Sequence, residues 1–346
     1  MREGSSARPV IALVAGEASG DYLGAGLIAA LRGRIPELRF VGIGGPKMEA
    51  QGMESWYPME RLAVRGYVEV LRHYAGISAI RRDVMCRVAD MRPSAFIGID
   101  APDFNLTLER GLRERGVRTI HYASPSIWAW RGGRIRGIAK SVDHMLVLFP
   151  FEKSIYQAAG IPATYVGHPL ADAIPMQDQT LAAREQLQIA PSHPVVTVMP
   201  GSRQSELAYM ADTFVRTCMR VNAVRPDCRF LVPLISRETR ARFEQAVYDA
   251  GAGDLPIRIL FGHSKTAIAA SNAVLVASGT ATLEVALYRK PMVIAYKMAL
   301  GSWRLMSRMR YQPWVGLPNI VAGKFIVPEI LQDEASPENL AQALLN

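Results

Sequence analysis

Short apolar runs alternate with stretches in which apolar residues recur every three to four positions, and this alternation fills almost the whole chain. Residues 9–16 (PVIALVAG) are such a run; residues 19–33 follow with Leu23, Leu27, Ala30 and Leu31 at helical spacing before Gly33. The pattern predicts a strand and then a helix. Further apolar runs stand at 38–43, 95–99, 117–122, 144–149 and 163–166, with helical stretches between most of them. Strands separated by helices predict a parallel sheet covered on both faces.

Residues 169–194 break the alternation: they are polar and carry Pro175, Pro191 and Pro194, which reads as a passage between domains. A second series opens at PVVTVMPGSRQSEL. Its helix puts Leu207, Met210, Phe214, Cys218 and Val221 on one stripe, and strands recur at 229–234, 257–260, 273–277 and 292–296. The expectation is an α/β protein of two Rossmann-like domains, residues 1–170 and 190–335, with a C-terminal helix at 336–346. Open parallel sheets bind ligands at the carboxyl ends of their strands, so the chemistry is expected in a cleft between two such sheets.

Two strand ends of the second domain suit a nucleotide. In LVASGTATLEVALYRKPMVIAY (275–296) Gly279 and Thr280 fall where a helix begins, so their N–H groups would meet a phosphate. Glu284, four residues on, would accept hydrogen bonds from a ribose. An ordinary turn with a surface Glu is the plainer alternative. In PGSRQSE (200–206) Ser202 and the following N–H groups face a helix N-terminus, and Arg203 offers a fork of donors for a diphosphate. The competing reading makes Ser202 a cap, Arg203 a solvated side chain and Glu206 a helix-start residue.

The first domain lacks GxGxxG, and in GEASGD (16–21) two acids would repel a diphosphate. Glu17, Ser19 and Asp21 suit a hydroxylated acceptor instead, unless Ser19 or Asp21 merely caps the helix. Lys47 in GIGGPKM would meet an acceptor phosphate. In GIDAPDFN (98–105) Asp100 ends an apolar strand, where a partly desolvated carboxylate serves as general base for a sugar hydroxyl. Asp103 is its rival, though placed for capping, and a structural role for both stays open. Ser126 and Trp128 in SPSIWAWR (124–131) suit a sugar or acyl surface; core packing of Trp128 and Trp130 is the alternative.

With 346 residues, 49% hydrophobic and 21% charged, the chain has globular composition and room for two domains. A net charge of +9 draws it to anions: nucleic acid, anionic lipid or phosphorylated small molecules. No zinc spacing, aromatic RNP-like strand or Lys/Arg block supports nucleic acid. Cys86, Cys218 and Cys228 share no CxxC spacing, which fits a reduced intracellular protein without a metal site. His121, His144 and His168 sit at strand ends without ligand spacing and read as structural. No signal-peptide h-region and no apolar run of bilayer length occurs.

Taken in order, GEASGD, GIDAPDFN, HYASPSIWAWR, LFPFEK, VGHPL, PGSRQSE, ASGTATLE and VGLPNIVAG resemble the lipid-A-disaccharide synthase family over nearly the whole chain. The resemblance implies a GT-B fold and an inverting transfer of sugar from UDP-2,3-diacylglucosamine to 2,3-diacylglucosamine 1-phosphate, giving a β-1,6 disaccharide 1-phosphate and UDP. By resemblance Asp100 takes the proton of the acceptor 6-hydroxyl and Ser202 and Arg203 hold the diphosphate. Thr280 meets the phosphate end, Glu284 the ribose, Asn319 the nucleotide neighbourhood and Glu17 the acceptor. No cofactor and no divalent metal is implied. Members continue past ASPENLAQALLN with a segment that returns to the first domain and can exchange between subunits, which implies a homodimer. Multiply acylated substrates imply docking on the anionic cytoplasmic face of the inner membrane. Residues 62–82, with Arg65, Arg72, Arg81 and Arg82, and residues 302–314 are the candidates, against packing on their own domain. Other readings stay open at this point: a UDP-GlcNAc 2-epimerase or the peptidoglycan GlcNAc transferase on the same fold, a non-catalytic binder, or a nicotinamide oxidoreductase.

Overall fold

The computed structural model of the chain describes residues 8–62, 67–128, 132–309 and 312–346, with side chains throughout except at 67–74, 305 and 309. Arg65, Trp130, Arg131 and the side chain of Arg72 lie outside the described residues. The chain divides into two units, 1–169 and 170–346.

In the first unit the alternation yields β1 (Val10–Ala15), α1 (Ala18–Arg34), β2 (Arg39–Ile43), α2 (Pro46–Ala50), β3 (Glu54–Ser55), α3 (Tyr67–Met91), β4 (Ala95–Ile99), α4 (Pro102–Arg113) and β5 (Thr119–Tyr122). Then follow α5 (Ile135–Ser141), β6 (His144–Val147), α6 (Pro150–Ala158) and β7 (Ala163–Tyr165), with α7 (Pro169–Ala173) at the boundary. The strands form one parallel sheet in the order β3-β2-β1-β4-β5-β6-β7. The chain winds outward from β1 to one edge, returns, and winds outward from β4 to the other. A crevice therefore opens between the carboxyl ends of β1 and β4, the place where such sheets hold ligands.

The buried face of α1 differs from the predicted stripe. Leu23 is buried, but Leu27 and Leu31 are half-buried and Ala30 is exposed; Gly20, Gly24 and Ile28 complete the buried face. The glycines let the helix lie close on the sheet, since a Cβ at Gly20 would stand 3.1 Å from the Ile99 carbonyl. From Ile80 onward α3 buries Val84 and Val88 in the same core, so this end of the 62–82 stretch packs on its own unit.

The second unit carries α8 (Thr180–Gln186), β8 (Val195–Met199), α9 (Gln204–Val224), β9 (Arg229–Leu234), α10 (Arg237–Asp249), β10 (Ile257–Phe261), α11 (Ser264–Ala270) and β11 (Ala273–Ala277). It continues with α12 (Thr280–Leu287), β12 (Met292–Tyr296), α13 (Leu300–Met309), α14 (Leu317–Ala322), β13 (Glu329–Leu331) and α15 (Pro337–Leu345). Its parallel sheet runs β10-β9-β8-β11-β12-β13. The same reversal puts a crevice between β8 and β11. All five stripe residues of α9 are buried, each worth about 1.5–3 kcal/mol for the large aliphatic and aromatic ones.

Three differences from the sequence expectation have local causes. β3 and β13 are two and three residues long at sheet edges, too short to carry periodicity. The passage at 169–194 is not structureless: α7 and α8 form within it, and Arg184 of α8 donates to Ala270 O, Pro191 O and Asn272 Oδ1, fastening α8 into the second unit. The C-terminal helix α15 packs on α9, with Leu340 and Ala341 in the second unit's core. No helix among the described residues is long and apolar enough to cross a membrane.

Candidate active site

At the β1–β4 crevice the backbone turns sharply to expose Asp100. Asp100 and Ala101 both adopt left-handed conformations (φ +52° and +44°), which costs a non-glycine residue about 1–2 kcal/mol each. The Asn105 amide, wholly buried on α4, holds the turn by donating to the carbonyls of Val14 (3.1 Å) and Asp100 (2.9 Å). Asp100 N–H donates to Tyr122 O, tying the turn to β5. The Asp100 carboxylate is half-exposed and accepts the Ser19 hydroxyl at 2.9 Å, which joins the first turn of α1 to the end of β4. Backbone strain of this kind clusters at functional sites, which makes Asp100 a candidate.

Its rival is differently placed. Asp103 lies in the first turn of α4, 84% exposed and ion-paired with Arg134. Asp21 is also not at the surface: its carboxylate is buried and accepts N–H groups of Gly45 (3.0 Å), Lys47 (3.1 Å) and Met48 (2.9 Å). The reading of Asp21 as an acceptor contact is corrected accordingly. It caps α2 from a remote helix and so fixes the turn that carries Lys47, whose ammonium stands over the Tyr22 ring at 5.1 Å. Glu17 is the N-cap residue of α1, with no side-chain cap hydrogen bond, and is half-exposed at the crevice.

Behind Asp100, Glu109 of α4 and His121 of β5 form a fully buried pair, Oε1 to Nδ1 at 2.8 Å. Burial pushes the imidazole down, but the Glu109 carboxylate, aided by Asp100 and the Ala123 carbonyl, carries it above the usual histidine range, while burial also raises the Glu109 carboxyl, with His121 opposing. Sequence reasoning treated His121 as an isolated structural residue; its partner twelve positions upstream is visible only in the fold.

On the loop after β5, Ser126 is exposed, whereas Trp128 is half-buried and donates its indole N–H to Glu152 at 3.0 Å. Glu152 is buried, and its other oxygen accepts the N–H groups of Leu148 and Phe149. Trp128 also meets Phe151 edge-on at 5.4 Å. Its polar edge is consumed internally, so any ligand would meet an aromatic face.

In the second unit Gly201 has φ +121°, and a Cβ there would stand 2.6 Å from Glu206 Oε2. That oxygen accepts the N–H groups of Ser202 (2.9 Å) and Arg203 (3.3 Å). Glu206 therefore occupies these two N–H groups as the helix-start residue of the competing reading. What the corner presents outward is the exposed Ser202 hydroxyl and the Arg203 guanidinium, 61% exposed and loosely paired with Glu206 at 3.4 Å. Tyr296 at the end of β12 has its phenol pushed up by burial, with the Glu206 charge adding and the Arg203 charge opposing.

Gly279 follows β11 with φ +153° and ψ −164°, a region open essentially to glycine alone. α12 then starts without a side-chain cap, and Gly279 and Thr280 are exposed, which leaves first-turn N–H groups for an anion. Glu284, one turn in, is half-buried; burial pushes its carboxyl up while Lys265 of α11 opposes.

Asn319 is not a ligand contact. Fully buried on α14, its amide donates to Val327 O and Glu329 Oε1 and accepts from the N–H groups of Ile326 and Val327, which uses all of its capacity. It locks the 315–327 segment, and Ser278 before α12 donates to Val315 O of that segment. Lys265 and Lys297 were missed by sequence reasoning. Lys297 directly follows β12, a strand-end cation of the kind sought elsewhere, and donates to Thr213 at 3.0 Å. Among the described residues no three His, Cys, Asp or Glu side chains gather to hold a metal ion.

Two parallel-sheet units, each with its candidate residues at the reversal of strand order, define an α/β protein of the GT-B type. Solved structures agree in fold: UDP-GlcNAc 2-epimerase from Neisseria meningitidis bound to UDP-GlcNAc superposes with a TM-score of 0.63 at 10% identity, covering 97% of this chain and 90% of that one. MurG from Acinetobacter baumannii gives 0.55 at 14% identity, covering 98% and 91%. In sequence, the model of the lipid-A-disaccharide synthetase family matches residues 11–346. The lipid-A-disaccharide synthase of Dechloromonas aromatica is 57% identical over 99% of this chain and 89% of that protein. That of Pseudomonas syringae pv. tomato is 49% identical over 97% and 87%. The chain belongs to the lipid-A-disaccharide synthase family and is a glycosyltransferase of lipid A biosynthesis.

Proposed function

We propose that the chain transfers the sugar of UDP-2,3-diacylglucosamine to the 6-hydroxyl of 2,3-diacylglucosamine 1-phosphate, with Asp100 as general base. The observation that carries this is the Asp100 carboxylate itself, held out by a strained turn at the carboxyl end of β4 and backed by buried polar groups. Asp100 takes the hydroxyl proton as the new O–C1 bond forms on the face opposite UDP. The C1–O bond to phosphate breaks, and UDP leaves with that electron pair. Arg203 and the uncapped start of α12 offset the charge that gathers on the diphosphate. Ser202 and Thr280 add hydroxyl donors there, and Glu284 accepts from the ribose. Glu17, Ser19, Ser126 and the face of Trp128 border the acceptor, with Lys47 presented to its phosphate.

The acylated substrates place the enzyme on the anionic cytoplasmic surface of the inner membrane. The exposed Arg304, Met306 and Arg308 of α13 suit that contact, each basic residue contributing about 1 kcal/mol near an anionic leaflet. A homodimer belongs to this reading through the family resemblance.

The test is to incubate the purified protein with both substrates in detergent, following UDP and disaccharide together by mass spectrometry. Equal amounts of UDP and a disaccharide 1-phosphate are expected. UDP bound without product, or UDP released without disaccharide, contradicts the reading.

A further inference from the structure

Four buried side-chain atoms lack a hydrogen-bond partner among the described residues, and three of them, Asn105 Oδ1, Glu109 Oε2 and His121 Nε2, belong to one cluster behind Asp100. The cluster is built around a missing side chain. Gly98 of β4 pairs with His121 of β5, and the space its Cβ would fill is taken by Glu109 Oε1, with Asn105 Cβ at 3.0 Å. Elsewhere these strands fill their buried positions with residues such as Phe96, Ile97 and Ile99. A buried ion pair contributes little to stability compared with well-packed apolar residues of the same size, so its presence at this one strand end calls for another reason.

The reason lies in what the cluster touches. Asn105 donates to the backbone carbonyls of Val14 and Asp100, on the two strands that bound the crevice. His121 is held by Glu109 from α4, pairs across the sheet with Gly98, two residues before Asp100, and feels the charge of Asp100 and the Ala123 carbonyl. A fixed, buried positive charge nearby orients a carboxylate that must meet an acceptor hydroxyl. We propose that Asn105, Glu109 and His121 form a buried positioning group for Asp100, in which Asn105 fixes the turn that presents the carboxylate and Glu109 holds His121 as the cation beneath it. None of the three touches substrate. The inference rests on Asp100 being the base.

The experiment labels histidine with ¹⁵N in the full chain, whose six histidines give a resolvable set of ring signals. His121 is assigned by its loss in His121→Gln. In the wild-type protein at pH 7.5 one ring is expected to remain protonated on both nitrogens, and in Glu109→Gln the same ring becomes neutral. Turnover of Glu109→Gln is expected to fall roughly tenfold or more, with KM for the UDP-sugar staying within about twofold. A neutral His121 in the wild-type protein at pH 7 overturns the proposal, and this reading does not depend on any variant folding. So does a Glu109→Gln protein whose folded fraction keeps wild-type turnover, which would make the pair a core contact only. An Asp100→Asn enzyme that still turns over refutes the base assignment itself, whereas an inactive Asp100→Asn beside a wild-type-like Glu109→Gln refutes only this inference.

Discussion

The two crevices answer the same topological problem in opposite ways. In the second unit the corner is made of backbone and exposed side chains: an uncapped helix, a glycine in a region closed to other residues, and the exposed Arg203. In the first unit the exposed group is one carboxylate, and the investment lies beneath it, in Asp21, Asn105, Glu109 and His121, all buried. The contrast fits the chemistry proposed for each. A diphosphate is already charged and needs only donors that require no reorganisation. A base must keep its position in a partly dry crevice, and support from behind supplies that.

If the first corner depends on buried support, removing it should damage the fold as well as the reaction. Asp21→Ala leaves three N–H groups of the 45–48 turn without their acceptor, so a loss of about 3 kcal/mol is expected in a denaturant melt, together with a raised KM for the acceptor. An unchanged melt with only a KM effect would mean that Asp21 acts at the surface after all. At the second corner the opposite separation is expected. Arg203→Ala should cost roughly tenfold in donor kcat/KM and leave the melt within about 0.5 kcal/mol, since its exposed pair with Glu206 contributes little. A clear loss of stability would show that the guanidinium holds the helix start rather than the ligand.

The smallest effect concerns Glu284. Burial raises its carboxyl above the usual carboxylate range, so on acidification it takes up a proton earlier than an exposed Glu and loses its capacity to accept from a ribose. Uridine affinity should weaken a few-fold as pH falls toward about 5, while Glu284→Gln binds weakly and with little pH dependence. Calorimetric titration with uridine, which carries no titrating phosphate, reads this directly. A wild-type affinity flat over that range contradicts the assignment.

The same contrast explains what was legible in the sequence. Alternation of apolar runs and helical stripes foretold the two α/β units, and the strands at 95–99, 229–234, 273–277 and 292–296 match those observed. The exposed residues Arg203, Gly279 and Thr280 stood out as candidates because their signal is local, a strand followed by small residues and a helix. The buried polar residues were misread because theirs is not. Asp21 bonds to a turn 24 to 27 positions away, and His121 to a residue on another element. Next to glycines, such an acid or amide looks the same in sequence whether it faces a ligand or a backbone N–H. Asn319 was placed in the nucleotide neighbourhood by resemblance alone, and its whole amide is spent on segment 326–329.

The division of labour between the corners is tested most directly in one protein, Asp100→Asn, by measuring UDP affinity and turnover side by side. The account predicts UDP binding within about twofold of wild type and turnover lower by roughly 10²- to 10⁴-fold, with Asn preserving the shape of the turn. Turnover near wild type with UDP still bound would contradict it.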